Sequence, residues 1–182
     1  MPTPEPSLPP QRVLLVGMMG SGKSSVGEAL ARRTGWTFHD NDSLVERATG
    51  RTARRLLAES GKAALRAAES AALAAGLALD RPAIVGVAGG ALLDPTDRER
   101  VGDGGFVVWL RASPEVMASR AAGAEHRPWL EGDAVGWFRR MVGERDPLYA
   151  SVSDLEIDTE VTAVEGAVDA IVAGLASVPS VP

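Results

Sequence analysis

The sequence has no cysteine, which excludes disulfides, thiolate zinc sites and cysteine nucleophiles. Histidine is almost as scarce. His39 and His126 are the only two, far apart in sequence and without metal-ligand spacing. No apolar run reaches the roughly 18 residues of a membrane span. Positive charge is also short: 19 Lys and Arg stand against 24 Asp and Glu, a net charge of -5. That balance argues against non-specific binding to nucleic acid or to anionic membranes. An anionic ligand must therefore be held by a local cluster of positive groups. The first ten residues have five prolines and no basic residue, so they do not read as a secretory signal. They read as an extended, disordered tail. Internal repeats are absent as well.

What is present suits one soluble domain. The chain has 182 residues, 45% hydrophobic and 24% charged, enough for a good-sized core and a mobile insert. We expect disordered tails at residues 1–10 and 177–182 around a single domain at 11–176, in the cytoplasm. Strand-like and helix-like segments alternate. Strands are predicted at residues 12–17, 36–40, 82–88, 104–110 and 154–158. Helices are predicted from Ser24 to Gly35, from the capping spacing "SLVE" at 43–46 to Gly50, from Thr52 to about Ser60, and over about 62–79. Further helices start at Ser113-Pro114, run from Asp133 to Asp146-Pro147, and cover about 163–175. Such alternation predicts an α/β fold, a parallel sheet with helices on both faces, and ligands at the carboxyl ends of its strands.

The first strand, Val13-Leu14-Leu15-Val16, runs straight into "GMMGSGKSS". Gly17, Gly22, Lys23 and Ser24 fit the phosphate-binding loop pattern G-x-x-x-x-G-K-[ST]. Glycines let the backbone turn so that the N–H groups of Gly20, Ser21, Gly22, Lys23, Ser24 and Ser25 surround a polyphosphate. Lys23 adds a full charge at the β- and γ-phosphates, and the Ser24 hydroxyl is a ligand for Mg²⁺. The alternative is a plain glycine turn between strand and helix. The strand before and the helix after favour nucleoside triphosphate binding.

Other residues stay open on their own chemistry. Asp40 and Asp42 end the second strand; they either cap a turn and helix or divide a metal role and a hydroxyl role beside the γ-phosphate. Arg66 and Glu69, three apart on a helix, make either an exposed ion pair or a steadied arginine fork for a carboxylate. Gly89 and Gly90 follow the third strand, either as a turn or as a close approach of backbone to ligand. Trp36, Trp109, Trp137 and Phe138 read as core.

Taken in order, "GMMGSGKSSVG", "FHDND", "GKAALRAAE", "AGGAL", "RPWL" and "RDPLY" resemble the shikimate kinase family over about residues 11–175. The resemblance implies a three-layer P-loop kinase fold with a five-stranded parallel sheet of order 2-3-1-4-5. It implies Mg²⁺, ATP as co-substrate, and phosphoryl transfer to the 3-hydroxyl of shikimate. It assigns Asp42 to the substrate hydroxyl in a base-like role, and Asp40 to the metal. Arg66 and Arg145 would hold the substrate carboxylate, with Gly89 and Gly90 against the substrate. Arg127, in a lid at about 121–133, would meet the charge on the moving phosphoryl group, and Arg120 would stack on adenine. The enzyme would be a monomer with small-molecule partners alone.

Some positions depart from the family pattern. Leu57 and Leu65 stand where phenylalanine is common, Lys62 where an acidic residue is common, and Ala88 in place of a first glycine. "TEVTAV", 159–164, lacks the arginine and proline that often flank adenine. Two rivals follow: a kinase for another small polyol or cyclitol acid, and a nucleotide-binding regulator without catalysis.

Overall fold

The computed structural model describes residues 11–122 and 132–177. Five parallel strands form one sheet of order β2-β3-β1-β4-β5, the order implied by the family resemblance. They are β1 (Arg12–Val16), β2 (Thr37–His39), β3 (Ala83–Gly86), β4 (Phe106–Arg111) and β5 (Leu155–Asp158). The central strand β1 is buried along its whole length and pairs with both β3 and β4, Leu14 lying beside Val85 and Val107.

A strand covered on both faces reads as an apolar run, because alternate side chains point to opposite sides; Arg12, at the start of β1, is buried but bonds the carbonyls of Gly104 and Leu79. Leu14 and Val16 join one core with Leu44, Leu73, Val101 and Phe138. Val13 and Leu15 join the other, with Val26, Leu30, Ile171 and Leu175. Helices α1 (Lys23–Thr34) and α7 (Val164–Ser177) supply the second core. The first is covered by α2 (Asn41–Thr49), α3 (Ala53–Leu77), α4 (Pro95–Gly104), α5 (Pro114–Ala121) and α6 (Ala134–Ala150). The order reverses across β1, so a crevice opens at the carboxyl ends beside it.

The observed elements differ from expectation in four informative places. The "SLVE" spacing places a cap at Ser43, but α2 starts at Asn41 with Asp40 in the cap position. The two helices expected on either side of Gly61 are present: the backbone is non-helical at Gly61, φ 82°, and α3 is two helices meeting at that kink. Helix α4 had no counterpart in the expected elements. Its segment is polar, with Asp97 and Val101 its buried residues, so the apolar period is weak. The readable signal was the cap, since Asp94 accepts from the N–H groups of Thr96 and Asp97 ahead of Pro95. Helix α6 continues through Pro147 to Ala150. Proline removes one backbone donor, but buried Tyr149 anchors the last turn by donating to the Gly89 carbonyl. At the carboxyl end, Ser177, expected in the tail, is the last residue of α7.

Candidate active site

The glycine-rich loop closes tightly after β1. Gly17 has φ 139°, and a side chain there would overlap the carbonyl oxygen of Leu110. Lys23 opens α1 and donates through Nζ to the carbonyls of Gly17 (2.8 Å) and Met18 (3.0 Å). The lysine thus folds back over its own loop. Ser21 lies beneath the loop surface, with a buried hydroxyl that has no hydrogen-bond partner among the described residues.

The loop is braced from β5. The Thr159 hydroxyl sits 2.9 Å from the Ser21 carbonyl and 3.1 Å from that of Arg111. Arg120, on α5, donates to the Thr159 hydroxyl, to the Thr159 carbonyl and to the Gly20 carbonyl. Thr159 was not among the expected site residues. Its sequence signal is weak, a threonine just past the carboxyl end of an edge strand.

Asp40 occupies the cap position of α2 without the usual side-chain cap bond, and the Asn41 N–H at the start of the helix favours its ionised form. Gly86 leaves it room, since a Cβ there would meet Asp40 Oδ1. Burial raises the Asp40 pKa, and Asp42 raises it further, while Lys23 pulls it down. Two carboxylates held this close favour a cation between them and the phosphates.

On α3, Arg66 Nη1 is paired with Glu69 Oε2. The Glu69 side chain is 12% exposed, and burial raises its pKa even against the pull of Arg66. Gly90 faces this pair, and a Cβ there would overlap the Arg66 guanidinium. Arg145, on α6, donates to the Gly89 carbonyl (3.1 Å) and to Met18 Sδ (3.5 Å), and its Nε is buried without a partner among the described residues. Burial pushes the Tyr149 hydroxyl up to about 12, so it stays a donor to the same carbonyl.

These groups surround one cavity of about 1050 Å³, within the size range of small-molecule sites or slightly above it. Gly20, Gly22, Lys23, Ser24 and Ser25 line it, with Asp40 and Asp42, and with Arg66, Gly89, Gly90 and Arg145; Gly89 and Arg145 lie against the glycine-rich loop at Gly17 and Met18. Arg120 also lines it. Arg127 falls in residues 123–131, outside the described residues, as does most of the expected lid. Phe138 and Trp109 are core, and Trp36 and Trp137 are partly buried and packed against the two cores; Trp137 also lines the cavity with Met141. Trp137, Met141 and Arg145 stand four apart on α6, and so share a face. A second hollow, about 490 Å³, lies around Arg12, Arg81 and Arg100. Two of its arginines are engaged: Arg12 bonds the carbonyls of Gly104 and Leu79, and Arg100 pairs with Asp97.

The family model for shikimate kinase matches residues 19–176. The chain belongs to the shikimate kinase family. It is 39% identical over 165 residues to the shikimate kinase of Paramagnetospirillum magneticum, covering 90% of this chain and 83% of that one. It is 40% identical over 151 residues to that of Symbiobacterium thermophilum, covering 81% and 86%. Among solved structures, the shikimate kinase from Acinetobacter baumannii in complex with shikimate superposes with a TM-score of 0.87 at 30% identity, covering 94% of this chain and 98% of that one. Against the shikimate kinase pattern, the departures Leu57, Leu65, Lys62 and Ala88 all line the cavity. They change its apolar wall and its rim.

Proposed function

We propose that this chain is a shikimate kinase that transfers the γ-phosphoryl group of ATP to the 3-hydroxyl of shikimate, giving shikimate 3-phosphate and ADP. The observation that carries the reading is the convergence of Lys23, Asp42, Arg66 and Arg145 on one cavity. An acceptor with a carboxylate suits the pair Arg66 and Arg145, which come from two helices and can grip it from two sides. Asp42 then receives the hydrogen bond of the attacking hydroxyl. The hydroxyl oxygen bonds to the γ-phosphorus as the bond to the β–γ bridging oxygen breaks, and the hydroxyl proton leaves toward Asp42. Lys23 and the backbone N–H groups of Gly20 to Ser25 hold the charge that builds on the phosphates. Positioning and electrostatics carry nearly all of such a step. Arg127 is assigned to the moving phosphoryl group, and Arg120 to adenine, on the sequence match.

The donor set also fits Mg²⁺. The Ser24 hydroxyl and the Asp40 carboxylate are hard oxygen donors on the same cavity wall, and the raised Asp40 pKa marks a place where a cation relieves repulsion. Bound there with ATP, Mg²⁺ would neutralise phosphate charge. We place the activity in a single chain in the cytoplasm; no helix of the described residues is long and apolar enough to cross a membrane.

A second reading is favoured by Leu57 and Leu65: leucine in place of phenylalanine at two positions of the apolar wall changes its shape and suits another polyol or cyclitol acid. A coupled ADP-release assay over a panel of acceptors decides. Shikimate should release ADP well above buffer. ADP release with another acid and none with shikimate would overturn the assignment. Tryptophan fluorescence titrated with ATP and then shikimate separates a silent binder from an enzyme.

A further inference from the structure

Two cations on the cavity wall have no part in the chemistry above. Four basic side chains fall between Arg51 and Lys62, around the kink in α3 at Gly61. Two of them are neutralised by Glu59, which meets Arg55 Nε at 2.6 Å and Arg51 Nη1 at 3.5 Å. Arg54 and Lys62 have no ion pair or hydrogen bond among the described residues. Both are exposed, and both line the cavity. The single acid of this stretch therefore quenches the cations that are not part of the cavity lining and leaves the two that are.

Lys62 stands one helical turn before Arg66, about 6 Å along the axis. The Arg66 side chain is 34% exposed, and Arg145 has a buried Nε. Positive charge thus continues from the exposed mouth to the floor of the cavity. The setting makes this matter. The whole chain carries a net charge of -5, which repels an approaching anion. The cavity lining reverses the sign locally, with six Lys and Arg against three Asp and Glu among the described residues. Exposed charges of this kind contribute little static energy. They act over a Debye length of about 8–10 Å, on encounter rate and salt dependence.

We propose that Arg54 and Lys62 form a capture rim that draws the anionic acceptor into the cavity and delays release of the phosphorylated product. The proposal rests on the reading of the cavity as a site for an anionic acceptor. Product retention should exceed substrate capture, because the added phosphate brings about 1.5 to 2 more negative charges.

The test is the double variant Arg54→Gln/Lys62→Gln in the full chain, assayed from about 0.02 M to about 0.5 M ionic strength, a range over which the screening length falls severalfold. At low salt, kcat/KM for shikimate should fall about 3–10-fold, within the range of electrostatic steering. The gap should close at high salt. The ATP KM should not change, kcat should not fall, and the inhibition constant for shikimate 3-phosphate should rise by a larger factor than the shikimate KM. The conservative variant Arg54→Lys/Lys62→Arg should keep the wild-type salt slope. A gap that persists unchanged at every ionic strength would assign these residues a structural role and overturn the rim; so would the absence of any gap. If the panel shows another anionic acid as acceptor, the shikimate reading fails, and the same salt comparison with that acid still decides the rim. Unfolding followed by circular dichroism checks that the exposed substitutions leave the fold intact.

Discussion

Two parts of the cavity wall are built differently. The part proposed for phosphate, the phosphate end, is mostly backbone: a loop of glycines and serines between Gly17 and Ser25, fixed by β1 before it, α1 behind it and the Thr159–Arg120 brace beside it. The part proposed for the acceptor is mostly charged side chains from separate elements, Asp42 on α2, Arg66 and Glu69 on α3, and Arg145 on α6. Backbone N–H groups are indifferent to what lies beyond a phosphate, whereas side-chain charges set at particular places can discriminate between acceptors. On the proposed function the two parts should therefore fail in different ways when they are altered.

The largest separation should come from Asp42→Asn. We expect kcat to fall about 10²–10⁴-fold, the usual worth of a positioned acid or base, while ATP affinity measured by titration stays near wild type. A matching loss of ATP affinity would place Asp42 at the phosphate end and erase the contrast.

Arg66→Ala should raise the shikimate KM roughly 10–150-fold, as a charged hydrogen bond worth about 1.5–3 kcal/mol is lost. The ATP KM should move little. Equal effects on both constants would show Arg66 to be structural.

A pair of glycine variants sharpens the comparison. Gly90→Ala puts a methyl group where the Arg66 guanidinium lies. That guanidinium is the end of a flexible side chain, so it can shift. We expect the shikimate KM to rise about 3–10-fold, less than the loss of a whole charged contact, with Tm nearly unchanged. Gly17→Ala puts a methyl group against the Leu110 carbonyl at φ 139°. Backbone cannot step aside, so this variant should lower Tm, measured by thermal unfolding.

The smallest effect concerns Asp40→Asn and stability alone. Burial and Asp42 raise the Asp40 pKa in the fold. The folded state therefore holds the proton more tightly than the unfolded chain, and the ionised carboxylate costs stability above the raised pKa. The ligand-free variant should melt higher than wild type at neutral pH. The difference should shrink as pH falls through the carboxylate range, because wild-type Asp40 then becomes protonated. A gain that does not vary with pH would argue against burial of charge as its cause.

Legibility followed locality. The phosphate loop could be read outright, because its glycines, lysine and serine are neighbours in sequence and their turn preferences are local. The inner strands β1, β3 and β4 could be read because burial on both faces demands apolar runs; the edge strands β2 and β5 carry polar residues and were marked by their place in the alternation. Helix α4 escaped, since its segment buries too little to show a period, and a cap at Asp94 was its sole clear mark. Thr159 escaped because the carbonyl it supports, that of Ser21, is 138 residues away in the chain. The core packing of Trp137 was legible, but apolar spacing on a helix does not say that the same side chain also forms part of a cavity wall. The arginines were ambiguous singly and became readable only through the order of family motifs.

By itself, then, the sequence determined a nucleotide loop on a buried strand and a chain of alternating elements, since both follow from hydrogen bonding and hydrophobic burial over a few residues. The tertiary structure decided that Asp42, Arg66 and Arg145 share a cavity with Lys23, and that Arg54 and Lys62 lie at its edge. That outcome depends on strand order and on the passage of α6 through Pro147. These are set by packing among distant segments, which no short stretch of the chain encodes.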